Sequence, residues 1–76
     1  MTVLEVDEVM KVPGKTGDEW ALRCWMHLYF VPRRLEDDLR YVECGKTYRI
    51  WYHGKNRRVI EKLERYDFGQ EARHAF

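Results

Sequence analysis

Cys24 and His27, with two residues between them, then Cys44 and His53, supply four potential metal ligands. A structural zinc takes four such sulfur and nitrogen ligands. On a strand, however, residues 24 and 27 point to opposite faces, so the first pair could serve only on a helix or a local bend. We expect no metal and no cofactor. Gly14-Lys15-Thr16 has the end of a phosphate-binding loop, but that motif needs a further glycine five positions earlier, where this chain has Val9. Glu36, Asp37 and Asp38 could gather a cation, yet no lysine stands two residues after an acid as in many metal-dependent nucleases. Cys24 lies in an apolar run, which suits packing better than nucleophilic catalysis. No catalytic residue is assigned.

One segment remains. Residues 45–58 contain Lys46, Arg49, Lys55, Arg57 and Arg58 among Tyr48, Trp51 and Tyr52, and no acid. Cations interleaved with rings can neutralise phosphates and stack bases, or anchor a protein interface. If Tyr48, Ile50 and Tyr52 face a core, Arg49, Trp51 and His53 project together from the other face, with Lys55, Arg57 and Arg58 at the adjoining turn.

The elements that must position these residues belong to one small domain. The chain has 76 residues, 45% hydrophobic and 14% aromatic, enough for a core built largely of rings. A domain of this size buries only about 60% of its unfolded surface, which leaves little room for a deep substrate cleft. A non-enzymatic protein is expected. Net charge is +1, but it is arranged in blocks: two cations against five acids over residues 1–19, three cations over 20–35, one cation against four acids over 36–44, and five cations over 45–58. The acidic start and the lack of a long apolar run argue against a signal peptide or membrane helix, so a cytoplasmic protein with reduced thiols is expected.

Residues 2–12 alternate Leu4, Val6, Met10 and Val12 with charged positions and predict a strand. Pro13 to Asp18 is a loop by composition. Over residues 20–31, Trp20, Leu22, Cys24, Met26, Leu28 and Phe30 form an unbroken period-two apolar face, which we read as one central buried strand in preference to a helix begun by Thr16 and Glu19. Residues 33–44 carry helix signals in Pro32, the acids at 36–38 and Gly45. We take instead a turn at 36–38, a strand over 39–44 and a Gly45-Lys46 hairpin into Thr47. Residues 47–53 and 57–67 then pair across Gly54-Lys55-Asn56.

The expected fold is mostly β: a small antiparallel sheet or barrel of about five strands over residues 1–68, with a frayed tail at 69–76. The alternative is α+β with one or two helices packed on the sheet. The expected function is binding, with Arg49, Trp51, His53, Lys55, Arg57 and Arg58 engaging nucleic acid or a nucleoprotein complex. The alternative is an inhibitor or adaptor of the kind phages and mobile elements make, its acids Glu36, Asp37 and Asp38 occupying the basic groove of a protein partner.

Overall fold

A computed structural model describes residues 1–66. They form β1 (Thr2–Glu5), β2 (Glu8–Gly14), β3 (Gly17–Cys24), β4 (His27–Val31), a 3-10 helix (Arg33–Tyr41), β5 (Thr47–His53) and β6 (Arg58–Arg65). The fold is mostly β, as the alternation of apolar and polar residues indicates. All six strands lie in one sheet of order β1-β5-β6-β4-β3-β2.

The sheet differs in detail from the expected one. It has six strands rather than about five, and it is mixed, because β4 and β6 run parallel with Tyr29 beside Arg58 and Phe30 beside Val59. It is also not closed as a barrel. The reason lies in residues 2–12, which are two strands and not one. β1 and β2 occupy opposite edges of the sheet yet are joined only by Val6 and Asp7. So short a link forces the sheet to curl until its edges meet at one corner. There the Val6 N–H donates to the Lys46 carbonyl at 3.0 Å, the Val6 carbonyl accepts from Gly45 N–H at 2.7 Å, and Asp7 N–H donates to the Arg23 carbonyl at 2.9 Å. Val6 itself is fully buried.

Inside the curl lies the core of Val6, Leu22, Cys24, Tyr29, Val31, Tyr48, Ile50 and Ile60. Each large aliphatic side chain fully buried there contributes about 1.5–3 kcal/mol. The break at Val6-Asp7 changes which residues of β2 face inward. Val9 packs on the core, while Met10 pairs with Ala21 on the outer side. Ala21 in turn pairs with Phe30, and this outer row of Met10, Ala21 and Phe30 leaves Ala21 with no exposed surface.

Residues 20–31 are the main correction. They form a hairpin, β3 and β4, turning at Trp25-Met26 with Cys24 opposite His27. The turn shifts the pattern by one residue, so Leu22 faces in and Leu28, opposite Arg23, faces out. Met26 is 76% exposed at the tip. The turn was hidden because neither central position carries glycine, asparagine or aspartate, the residues that ordinarily mark a two-residue hairpin.

The second correction concerns residues 33–44. No strand forms over 39–44, and Gly45-Lys46 is not a hairpin into Thr47. Pro32 instead precedes nine residues of 3-10 helix, with Leu35 N–H donating to the Pro32 carbonyl and Val42 N–H to the Leu39 carbonyl. Leu35, Leu39 and Val42 lie against the core and hold the helix across the open side of the curl. Residues 47–53 and the return strand match expectation, with β6 running from Arg58 to Arg65. Cys24 is buried, Cys44 is exposed, and the two are not bridged. The tail at 69–76 lies outside the described residues, and among those described no helix is long and apolar enough to cross a membrane.

Candidate nucleic-acid interface

β5 sends alternate residues to opposite sides. Tyr48 and Ile50 are buried in the core, and Tyr52 follows them on the concave side, 38% exposed, with its ring edge-on to Tyr29 at 5.1 Å. Arg49, Trp51 and His53 therefore share the outer face, as their spacing predicts. The pairing with β6 decides what surrounds them. Arg49 stands beside Glu64 with its guanidinium 4.9 Å from the Tyr66 ring. Trp51 is half-buried beneath Lys62, whose ammonium lies 4.8 Å from its centroid, and Lys62 also pairs with Glu64 at 2.9 Å. His53 Nδ1 meets the Glu61 carboxylate at 2.8 Å. A register shift between Trp51 and Tyr52 displaces β6 by one residue and brings Glu61 to this face.

The turn between β5 and β6 divides the remaining candidates. Gly54 has φ 99°, which a side chain rarely adopts, and a Cβ there would collide with the Arg57 carbonyl. Lys55 is exposed at the tip and has no ion-pair partner among the described residues. Arg57 turns to the outer face, where it stacks on Phe30 at 3.9 Å and meets Glu19 at 2.5 Å. Arg58 goes to the concave side, its guanidinium 5.7 Å from the Tyr29 ring. The six predicted binding residues are thus brought to one hairpin but not to one face.

Arg57 also joins the hairpin to a second turn. It lines an open groove of about 530 Å³ with Pro13, Gly14, Lys15, Thr16 and Glu19, so one cation from each turn, Lys15 and Arg57, stands at the same depression. Gly14 ends β2, and Lys15-Thr16 is a two-residue hairpin turn into β3 rather than a loop leading into a helix. The acids Glu36, Asp37 and Asp38 lie on the 3-10 helix, away from this groove, with no ion-pair partner among the described residues. A second groove, of about 510 Å³, lies where the helix ends, between Tyr41, Val42, Tyr48 and Leu63. The Tyr48 hydroxyl accepts from Glu43 N–H at 2.8 Å along its wall.

Burial pushes the Cys24 thiol up to about 11, with Asp7 adding to the shift, so it stays protonated at neutral pH. Burial also raises the Tyr29 phenol above its ordinary value, helped by nearby Tyr52. No group of three or more His, Cys, Asp or Glu side chains converges among the described residues.

Sequence reasoning missed the most exposed large hydrophobic ring among the described residues. Trp25, at the β3–β4 tip, is 72% exposed and has φ 59°. Its N–H donates to the Asp7 carboxylate at 2.6 Å, and Arg23 donates to its carbonyl at 3.3 Å. The one signal available was length: twelve residues exceed the usual five or six of a strand about twofold. No protein-family model matches the chain, and neither the curated proteins nor the solved structures contain a match.

Proposed function

We propose that this is a non-enzymatic binding protein whose β5–β6 hairpin engages nucleic acid, alone or within a nucleoprotein complex. The observation that carries the reading is the convergence of Lys15 and Arg57 from two turns on one groove, with Lys55 exposed at the tip of the same hairpin as Arg57, a hairpin that bears rings on both faces. Cations at turns reach phosphates without needing a deep cleft, and such contacts position a strand without reading its sequence. Glu19 offsets part of the charge on Arg57, which sets the expected affinity low rather than changing its sign.

The test is fluorescence anisotropy with labelled single-stranded and duplex oligonucleotides at 50 and 200 mM salt. The Lys55→Glu/Arg57→Glu double variant should bind more weakly, and the slope of log affinity against log salt should fall by about one for each phosphate no longer neutralised. Absence of binding by the unaltered protein at the lower salt would overturn the proposal.

A second reading rests on the 3-10 helix. Asp37 and Asp38 are exposed and Glu36 partly so, and none has an ion-pair partner among the described residues. Such a bare acidic edge suits the basic groove of a protein partner. Asp37→Asn with Asp38→Asn would weaken that complex, whereas it would leave nucleic-acid binding unchanged or slightly tighter.

A further inference from the structure

The face of the hairpin that sequence singles out is not the one with free rings. Trp51 is half-buried under Lys62, and its neighbour His53 is held by Glu61. The concave side is different. Trp25 lies edge-on to His27, with centroids 6.3 Å apart, and His27 shares a face of β4 with Tyr29 two residues later. Tyr29 is in edge contact with Tyr52, and Arg58 lies over Tyr29. This line of rings runs along the rim of the curl from the β3–β4 tip to the β5–β6 hairpin. Tyr29 forms its buried foundation, while Trp25, His27 and Tyr52 are exposed.

We propose that Trp25, His27 and Tyr52, ended by Arg58, form a stacking platform for the bases of a single-stranded nucleic acid. This rests on the nucleic-acid reading above and assigns the face on which the bases lie. Three observations carry it. The first is the exposure of Trp25 at 72%, far beyond that of a ring recruited for the core. The second is its backbone. A bulky residue at φ 59° is an outlier, and here the side chains of Asp7, from the link between β1 and β2, and of Arg23, two residues earlier, hold it in place. Strain maintained at an exposed ring that gains little burial in return marks a position kept for contact with something else. The third is the placement of charge. Arg58 stands at the hairpin end of the row, on the same concave side as Tyr29 and Tyr52, where a phosphate would follow. The acids at the other end, Asp7 and Glu8, both meet Arg23, at 3.6 and 3.4 Å. A single strand can splay its bases onto such rings, whereas a duplex keeps its base faces stacked inside.

The experiment uses 5′-fluorescein dT12 and rU12 and a 12-base-pair duplex, with anisotropy at 50 mM salt and a melting curve for each variant. The unaltered protein should prefer the single strands. Trp25→Ala should lower single-strand affinity about tenfold, Trp25→Phe should retain most of it, and Tyr52→Leu, which keeps an apolar contact to Tyr29, should also lose severalfold. Trp51→Ala should change it less than Trp25→Ala does. Binding of dT12 that is weakened by Lys55→Glu/Arg57→Glu but not by Trp25→Ala or Tyr52→Leu would overturn the platform and leave the hairpin reading standing. Duplex bound as tightly as single strand would also overturn the platform. Binding of none of the three probes would overturn both.

Discussion

The turn at Trp25 can be tested through its backbone alone. Substituting Trp25 by alanine and by glycine removes the same ring and the same packing against His27, so the difference between the two variants reports the cost of holding a Cβ at φ 59°. The left-handed region costs a residue with a Cβ about 1–2 kcal/mol. Glycine returns about 0.5–1 kcal/mol of that through its larger freedom in the unfolded chain. Trp25→Gly should therefore be more stable than Trp25→Ala by about 0.5–1 kcal/mol. In a domain of this size that corresponds to a Tm higher by about 2–8 °C. Thermal melting followed by circular dichroism, with urea midpoints as a second measure, resolves such a gap. At other positions within a strand the order reverses, because glycine there is less stable than alanine. A Trp25→Ala protein melting at or above Trp25→Gly would mean that residue 25 is not in a left-handed turn, and the hairpin reading of residues 20–31 would fall with it.

Leu22→Ala should cost about 2–5 kcal/mol because Leu22 is fully buried in the curl, while Leu28→Ala, on the outer face opposite Arg23, should cost clearly less; equal urea shifts would contradict the register. Gly54→Ala should destabilise by about 1–3 kcal/mol, since it combines φ 99° with a collision against the Arg57 carbonyl; an unchanged Tm would refute the turn. At pH 8 a thiol reagent should label Cys44 rapidly and Cys24 only after unfolding, because Cys24 is buried and protonated. With its thiol raised to about 11 when folded, the folded state retains the Cys24 proton between roughly pH 9 and 11 while the unfolded state loses it. Stability should fall as pH rises through that window, with no such effect below it, and Cys24→Ala should flatten the decline; an identical slope in the variant would refute the assignment.

The parts of the fold that were legible in the sequence are those where local pattern and turn chemistry agree. Thr47–His53 alternates cleanly and ends in Gly54, whose positive φ the turn requires, and both the strand and its return were found in place. The class was legible for the same reason. The closure was not, because it depends on β1 and β2 sitting at opposite edges while joined by two residues, and no local pattern encodes that long-range pairing. Val6 continues the apolar alternation of its strand, and only its bonds to Lys46 and Gly45 show that it is a corner. The helix at 33–41 is disfavoured on sequence because Arg33 and Arg34 have the wrong sign for a helix N-terminus. Their exposure weakens that objection, and Arg34 finds its partner outside the helix, in the Glu61 carbonyl at 2.8 Å.

The missed turn and the missed ring have one cause. Read as a continuous strand, residues 20–31 place Trp25 opposite an apolar face and give it no distinction from Trp51, so residue type and neighbouring charge decide between them, and Trp51 stands in the basic block. The actual turn at 25–26 reverses that order of exposure: Trp25 stands at a tip, while Trp51 lies beneath Lys62. A turn built on tryptophan and methionine lacks the intrinsic preference that glycine or asparagine supplies; the Trp25 carbonyl is satisfied by Arg23 of the adjoining strand, and its N–H by Asp7 from a distant part of the chain. Local composition cannot announce a turn that is stabilised from a distance. Asp7 therefore links two questions that look separate, the bend between β1 and β2 and the conformation of the β3–β4 tip. Removing its carboxylate should loosen Trp25 before it unfolds the sheet, because the Asp7 N–H bond to the Arg23 carbonyl survives in Asp7→Ala while the side-chain bond to Trp25 does not.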